Sequence, residues 1–325
     1  MSMTKKNKGI TIAIVIVLLI GCVWANNTSI FLKDKNADPK LLAHRGVAQT
    51  FDLDNVEWDT NTAEIIHTPE HNYLENTIES MEAAFVYGAD MVELDIKLTK
   101  DKKLAVFHDY LLEYRTDGVG EISNYTMEEL KKLDIGYGYT ADGGKTYPFR
   151  GKGIGMMPSI DEVFEAFPDK ELLIHVKVDN EEIGKVLLRY LEKMDENRLS
   201  QITVYGDNTP IQYLKENNEK IRVMSKKTMK KALIDYELLG WTGYVPNSIQ
   251  NTYVALPIKY TKVLWGWPNK FIERMEEVNT KVVIVEGDGK WSEGFDSEGS
   301  LKNIPTGYSG YIWTNKIDKI GQMIK

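Results

Sequence analysis

The sequence predicts an α/β protein built as a single (β/α)8 TIM-type barrel, preceded by an N-terminal hydrophobic segment. Three observations point there. Short apolar runs recur from residue 41 to the end of the 325-residue chain, with helical patterns between them. Composition is that of a globular protein, 42% hydrophobic and 27% charged. The stretch 41–325 has about the usual size of one such barrel, although length alone also admits two smaller domains.

The first element is the one long apolar run, GITIAIVIVLLIGCVWA, residues 9–25, which follows Lys5, Lys6 and Lys8. Basic residues ahead of such a run mark a signal or membrane anchor. Residues 1–25 are read as that segment and the polar residues 26–40 as a linker. The run is at the short end for a spanning helix. Three fates are consistent with it: a retained signal anchor, a lipoprotein processed at Cys22 within LIGC, or a secreted form cleaved after Ala25. Each puts the folded part on the extracytoplasmic face of the cell membrane. Cys22 is the lone cysteine, so no internal disulfide can form.

The apolar runs that follow are LLAHR, MVELDI, LAVFHD, LLIHVKV, ITVYG, IRVMS, KVLWGW, KVVIVE and GYIWTN. They are one too many for an eight-stranded barrel, and KVLWGW is taken as irregular. MVELDI and LAVFHD lie too close for a crossover helix, which needs a dozen or more residues, so a distortion is expected there. Capping pairs mark helix starts at Asn76 with Glu79, Thr126 with Glu129, and Ser159 with Glu162; Gly88 closes the first. Residues 47–73 hold six acids and no lysine or arginine, and residues 136–157 are glycine-rich. In the latter, GGKT lacks the leading glycine and the preceding strand of a phosphate loop, which argues against a nucleotide site. The net charge of −8 argues against nucleic acid, whose binding rests on a basic face.

The strand ends carry the chemistry. In LLIHVKV, His175 and Lys177 are two apart and share a face; in MVELDI, Glu93 and Asp95 do the same. LLAHR ends in His44 and Arg45, and LAVFHD in His108 and Asp109. Each alone has a bland reading: a hydrogen-bonded rim histidine, a solvated ELD, a snorkelling lysine. Together they place two carboxylates, three imidazoles and two cations inside apolar strands, which is costly without a purpose. The C-terminal ends of barrel strands converge on active sites. Glu93 and Asp95 offer hard oxygen ligands suited to Mg²⁺ or Ca²⁺. Arg45 and Lys177 suit phosphate oxygens. His44 and His108 titrate near neutrality, as general acid–base chemistry requires. The set suits metal-assisted hydrolysis of a phosphodiester.

With these residues in view, the sequence resembles the glycerophosphodiester phosphodiesterase family. HRG at 44–46, ENT at 75–77, GADMVELDIKLTKDKKLAVFHD at 88–109 and YRTDGVG at 114–120 carry the resemblance. MPSIDEVFEAF at 157–167 and GYIWTN at 310–315 add to it. It implies a (β/α)8 barrel over 41–325 and a divalent metal. It also implies cleavage of glycerophosphodiesters to glycerol 3-phosphate and an alcohol, through attack by the substrate's own hydroxyl and opening of a cyclic phosphate. By the same resemblance His44 and His108 are the acid–base pair, Glu93 and Asp95 bind metal, Arg45 and Lys177 contact phosphate, and Glu75 supports Arg45 or the metal.

The chain departs from the family pattern twice. The usual E-x-K motif reads His175-Val-Lys177, which implies an imidazole in place of a third carboxylate ligand. That raises Mn²⁺ or Zn²⁺ beside Mg²⁺ and Ca²⁺; a phosphate-binding or supporting imidazole is the alternative. HRG and ENT are separated by an insertion, 47–74, expected to overhang the site. Its carboxylates Asp52, Asp54, Glu57 and Asp59 are a second cation site or, by default, a solvated loop. The partner expected is a small-molecule or lipid-derived phosphodiester, with the membrane engaged through the N-terminus. Two other readings stay open: a lysophospholipase D or cyclic-phosphate-forming lyase, and a surface protein that binds phosphodiesters without turning them over.

Overall fold

A computed structural model of the chain describes residues 5–30, 32, 38–53, 56–57, 59–288 and 293–324. Eight parallel strands form a nearly closed barrel. They are β1 Lys40–Ala43, β2 Met91–Leu98, β4 Glu171–Val176, β5 Ile202–Gly206, β6 Arg222–Ser225, β7 Tyr253–Pro257, β8 Lys281–Val285 and β9 Tyr311–Thr314. Hydrogen bonding runs in the order β6-β5-β4-β2-β1-β9-β8-β7. Between β6 and β7 the seam is bridged by a side chain: the Thr252 hydroxyl donates to the Val223 carbonyl at 2.6 Å.

The ninth strand, β3 Leu104–Val106, is not a barrel stave. It folds back antiparallel on the end of β2, pairing Val106 with Ile96 and Leu104 with Leu98. This corrects the reading of LAVFHD as a barrel strand and explains why no crossover helix was needed there. KVLWGW is not a strand either; a 3-10 turn covers Ile258–Val263 and the rest is irregular. The missing stave is Tyr253–Pro257. Its alternation is plain in hindsight: Tyr253 and Ala255 join the cluster inside the barrel, while Val254 and Leu256 pack outward.

The helices follow the strands. α1 is Lys5–Asn27, α2 Ile78–Val86, α3 Met127–Leu130, α4 Ile160–Ala166 and α5 Glu181–Leu191. Then come α6 Glu196–Ser200, α7 Asn208–Asn217, α8 Lys226–Leu239, α9 Asn269–Glu277, α10 Glu298–Leu301 and α11 Ile317–Ile324. The capping boxes at Thr126/Glu129 and Ser159/Glu162 are present as read. The first is shifted by one: Thr77 and Ser80 cap α2, which frees Asn76 for another partner. Outward strand side chains such as Leu94, Ile174 and Val204 pack against the helices in the main core. Inward ones, including Leu42, Met91, Leu173, Met224 and Val283, fill the barrel. The charged inward positions lie above that plug, at the C-terminal ends of the strands.

α1 runs two residues beyond the segment expected to end at 25. Gly9–Asn27 is long and apolar enough to cross a membrane, with a mean hydropathy of 2.4, and it is not buried against the barrel. The linker residues 31 and 33–37, and Asp54 of the insertion, lie outside the described residues. The GGKT stretch forms turns fastened by Asp142, whose carboxylate accepts from the Lys145 and Thr146 amides.

Candidate active site

The site begins where β1 ends. Val47 N–H donates to Ser80 O, and Asn76 N–H to Arg45 O, so the chain turns sharply onto α2. Arg45 sits at φ +57 and Gly46 at φ +77. A Cβ on Gly46 would lie 2.5 Å from the Ser80 hydroxyl, so only glycine fits there. Left-handed backbone at a non-glycine residue is strained, and here the strain turns Arg45 toward the carboxylates on β2. Its Nη1 donates to Glu75 Oε1 at 2.8 Å, and its Nε lies 3.2 Å from Asp95 Oδ2.

β2 supplies Glu93 and Asp95 on consecutive inward positions, both fully buried. β4 runs beside it in register, with His175 opposite Asp95. His175 Nδ1 lies 3.0 Å from Asp95 Oδ1 and 3.6 Å from Glu93 Oε1. One ligand atom from each of the three falls within 4.8 Å of the others, the geometry of a possible metal site. Tyr205, from β5, donates to Glu93 Oε1 at 2.8 Å and stacks on His175 with ring centroids 4.1 Å apart. Asn76 donates to Asp95 Oδ2 at 3.1 Å.

The electrostatics test whether a cation fits. Glu93 has no lysine or arginine within ion-pair distance among the described residues; its close charged-type neighbours are His44 and His175. Burial pushes both imidazoles down, so they are neutral and do not offset the carboxylate. Burial, then the Asp95 charge, pushes the Glu93 carboxyl up. Asp95 behaves oppositely. Burial raises it too, but Lys177, His108 and Arg45 outweigh that and hold it well below the usual carboxylate range. Two buried carboxylates and an imidazole, one of the carboxylates short of positive charge, form a donor set that a divalent ion satisfies.

The two histidines at the rim have fixed tautomers. His44 Nδ1 lies 2.6 Å from Asn315 Oδ1. The Asn315 amide is oriented by donating its Nδ2–H to Asp296 Oδ2 at 2.7 Å, so its oxygen faces His44. His44 therefore carries its proton on Nδ1 and leaves Nε2 as the acceptor, 3.9 Å from Glu93 Oε2. His108 is held differently. Phe107 N–H donates to Asp95 O, pinning the segment after β3 against β2. His108 Nδ1 then donates to Asp109 Oδ1 at 2.7 Å, and Asp109 is paired with Arg115 at 2.5 Å. Arg115 reaches on to Glu75 Oε1 at 3.4 Å. His108 Nε2 meets the Lys177 ammonium. Burial, with Arg45 and Lys177 beside it, brings the His108 pKa down to about 4.

All eight residues singled out from the sequence thus lie together. Six of them, His44, Arg45, Glu75, His108, His175 and Lys177, line one cleft of about 640 Å³; Glu93 and Asp95 lie buried beneath it. The insertion builds a wall of that cleft through residues including Phe51, Asp52, Val56 and Thr62. It is held by a bridge between Phe51 and Ile66 and by Asp52 to His67 Nε2 at 3.0 Å. Its described acids form no second metal cluster.

Sequence reading missed Tyr205, Asn315, Asn76, Arg115 and Lys97. All five stand inside the apolar runs and motifs read from the sequence, yet nothing local says that Asn315 meets a histidine 271 residues away. Lys97 had a signal: it is the next inward position after Glu93 and Asp95. It is 5% exposed, with its ammonium 4.4 Å from the Tyr110 ring centroid. Burial and the neighbouring Lys177 lower its pKa to about 8. Replacing Asn315 by alanine frees the His44 ring, and a loss in kcat on the order of 10- to 100-fold with little change in thermal unfolding is the expected outcome. Steady-state kinetics beside a melting curve check it.

Comparison with known proteins adds the following. The model of the glycerophosphoryl diester phosphodiesterase family matches residues 44–262. A glycerophosphodiester phosphodiesterase of Caldanaerobacter subterraneus is 41% identical over 107 residues, 33% of this chain and 40% of that protein. One from Bacillus subtilis is 38% identical over 104 residues, 31% of this chain and 32% of that protein. A lysophospholipase D of Mus musculus is 32% identical over 192 residues, 57% of each. The matched stretches thus span a third to just over half of these relatives. Among solved structures, a glycerophosphoryl diester phosphodiesterase domain from Mycobacterium tuberculosis superposes with a TM-score of 0.61 at 15% identity, covering 88% of this chain and 99% of that one. A glycerophosphodiester phosphodiesterase from Thermotoga maritima gives 0.53 at 18% identity, covering 88% and 98%. At these identities the likeness is one of fold.

Proposed function

The chain belongs to the glycerophosphoryl diester phosphodiesterase family, and from that premise we propose that it hydrolyses glycerophosphodiesters to glycerol 3-phosphate and an alcohol. The observation that carries this reading is the grouping of Glu93, Asp95 and His175 within 4.8 Å beneath a cleft edged by two histidines of fixed tautomer.

Glu93, Asp95 and His175 would hold the divalent ion. When bound it supplies neutralisation of phosphate charge and a lowered pKa for a coordinated hydroxyl. Arg45 and Lys177 grip the phosphoryl oxygens, with Glu75 fixing Arg45. His44 is the base: Nε2 takes the proton of the attacking substrate hydroxyl as its oxygen bonds to phosphorus. His108 is the acid: Nε2–H protonates the departing alcohol oxygen as the P–O bond breaks. The partners favour this division. An imidazolium at His108 is supported by the Asp109 carboxylate, whereas His44 leans on a neutral amide. The bound phosphodiester adds negative charge beside His108 and turns Lys177 toward phosphate, which raises the imidazole's proton affinity from its ligand-free level. Water then opens the cyclic phosphate with the roles reversed.

The oxygen ligands point first to Mg²⁺ or Ca²⁺, and the His175 nitrogen admits Mn²⁺ or Zn²⁺ beside them. α1 would anchor the barrel to the membrane, which its length and apolar character support, and the lysines ahead of the run would leave the barrel on the outer face. The test is a metal-by-substrate screen on the full chain. Glycerophosphocholine and glycerophosphoglycerol are offered with each of the four ions, and glycerol 3-phosphate is measured. Turnover that depends on metal is expected; no turnover with any ion would leave a binding protein instead. A cyclic phosphate that accumulates would mark a lyase. His175→Glu is expected to shift preference from Mn²⁺ or Zn²⁺ toward Mg²⁺ or Ca²⁺ by about tenfold while keeping activity.

A further inference from the structure

Beyond α1, seven of the large apolar side chains that face solvent fall between residues 234 and 263. Ile234, Leu238 and Trp241 recur at positions i, i+4 and i+7, so they form one stripe along α8 and its end. Leu238 is 67% exposed, although the opposite side of α8 buries Ala232 and Tyr236. Val263, 70% exposed, continues the patch beyond β7. The Trp265 indole N–H donates to the Glu237 carbonyl, which holds the two stretches together.

The same stripe runs back along α8 into lysines. Lys226, Lys227 and Lys230 are exposed, and none has a carboxylate partner among the described residues. Residues 226–231 contain four lysines and no acid, in a chain whose net charge is −8. A basic strip beside an apolar one, on an otherwise acidic body, matches the surface of an anionic bilayer, where lysines meet phosphates and indoles sit at the head-group level.

α1 joins the barrel at this patch. Asn27 Nδ2 donates to the Trp241 carbonyl at 2.8 Å, and Arg274 donates to Asn27 Oδ1 at 2.9 Å and to the Asn26 carbonyl at 2.8 Å. A groove of about 810 Å³ lies between them, with Leu19, Ile20, Val23 and Trp24 of α1 on one side and Trp265 and Trp267 on the other. Leu19 is eight residues before Asn27, or about 12 Å along the helix. The barrel's tryptophans therefore stand alongside the last two turns of α1, not beyond its end.

We propose that this face of the barrel rests in the head-group layer of the bilayer that α1 enters, with the lysines on lipid phosphates and the apolar stripe at the acyl boundary. The inference rests on α1 being a membrane anchor and goes beyond it: a tethered barrel need not touch lipid at all. The patch flanks β7 from the 3-10 turn that ends α8, Gly240–Thr242, to the one that follows β7, Ile258–Val263. Contact through both ends lays the barrel on its side, so the cleft opens along the membrane instead of away from it.

The test uses the full chain in a Cys22→Ser background, with one environment-sensitive fluorophore at a time on Leu18→Cys, Leu238→Cys, Val263→Cys or Ile154→Cys. Ile154 is an exposed apolar residue in the glycine-rich loop, far in sequence from the patch. The protein is reconstituted in vesicles of phosphatidylcholine with phosphatidylglycerol. Emission, quenching by spin-labelled lipid and quenching by aqueous iodide are then read. Labels at 18, 238 and 263 are expected to shift blue and to be quenched by lipid; the label at 154 is expected to respond to iodide alone. If 18 is lipid-quenched while 238 and 263 behave like 154, the anchor stands and the docking proposal falls. Shielding of 238 and 263 from iodide without lipid quenching would mean a second copy covers the face, which also overturns it. An unquenched label at 18 removes the anchor and this proposal together.

Discussion

Replacing His108 with alanine lowers kcat for glycerophosphocholine by about 10²- to 10⁴-fold, the usual worth of a positioned acid or base, and leaves KM close to its original value. The loss is in chemistry because the ring binds no phosphate oxygen in the scheme above. Folding should survive, since Asp109 keeps Arg115 and Arg115 keeps Thr62 at 2.8 Å. The acid role has its own signature. On a glycerophosphodiester with a p-nitrophenol leaving group the phenolate departs without a proton, so His108→Ala should recover most of the rate of p-nitrophenol release, the first step, on that substrate. An equal loss on both substrates would contradict the assignment and point to a positional role for the ring. His44→Ala should show no such recovery, because its proton comes from the nucleophile.

Glu93→Gln should cost on the order of 10³-fold in metal-dependent turnover, which corresponds to about 4 kcal/mol of barrier. Its effect on stability should run the other way in the absence of metal. Folding buries Glu93 beside Asp95 and pushes its carboxyl up. A group raised on folding lends stability that is complete below its ordinary range and is lost as pH rises toward the raised value. At neutral pH the metal-free fold holds on Glu93 a proton that the unfolded chain gives up, its carboxyl being pushed up to about 8, which weakens the fold, and an isosteric amide relieves that cost. Metal reverses the order. At a hundredfold excess over Kd an ion stabilises the wild-type chain by about 2.7 kcal/mol, and the variant by far less. Melting curves with chelator and with each ion check both halves. A variant that melts lower than wild type under chelator would show that Glu93 is held by something other than a cation.

The candidate site residues on β2 and β4 were legible because strands impose a period of two. His175 with Lys177, and Glu93 with Asp95, announce themselves as pairs on one face whatever the tertiary fold. What surrounds them was not legible. Tyr205 and Asn315 act on residues 112 and 271 positions away, and no local pattern carries that information. The staves were read nearly in full, with one exchange. LAVFHD stood in the place of Tyr253–Pro257, while KVLWGW, taken as irregular, is no strand; the unread stave ends in Pro257, and proline cannot donate to a ladder. The structure has Pro257 as the last residue of β7, where that deficit matters least. The close spacing of MVELDI and LAVFHD was read as a flaw in the barrel. It is instead the antiparallel fold-back of β3 that carries His108 to the rim.

The wall built by residues 47–74 leads into the site, but none of its described residues belongs to the Glu93, Asp95 and His175 group. The candidate ligands stand on β2 and β4, whereas part of the entrance is shaped by the stretch between HRG and ENT. A change confined to this stretch would therefore reshape the doorway while leaving Glu93, Asp95 and His175 where they are.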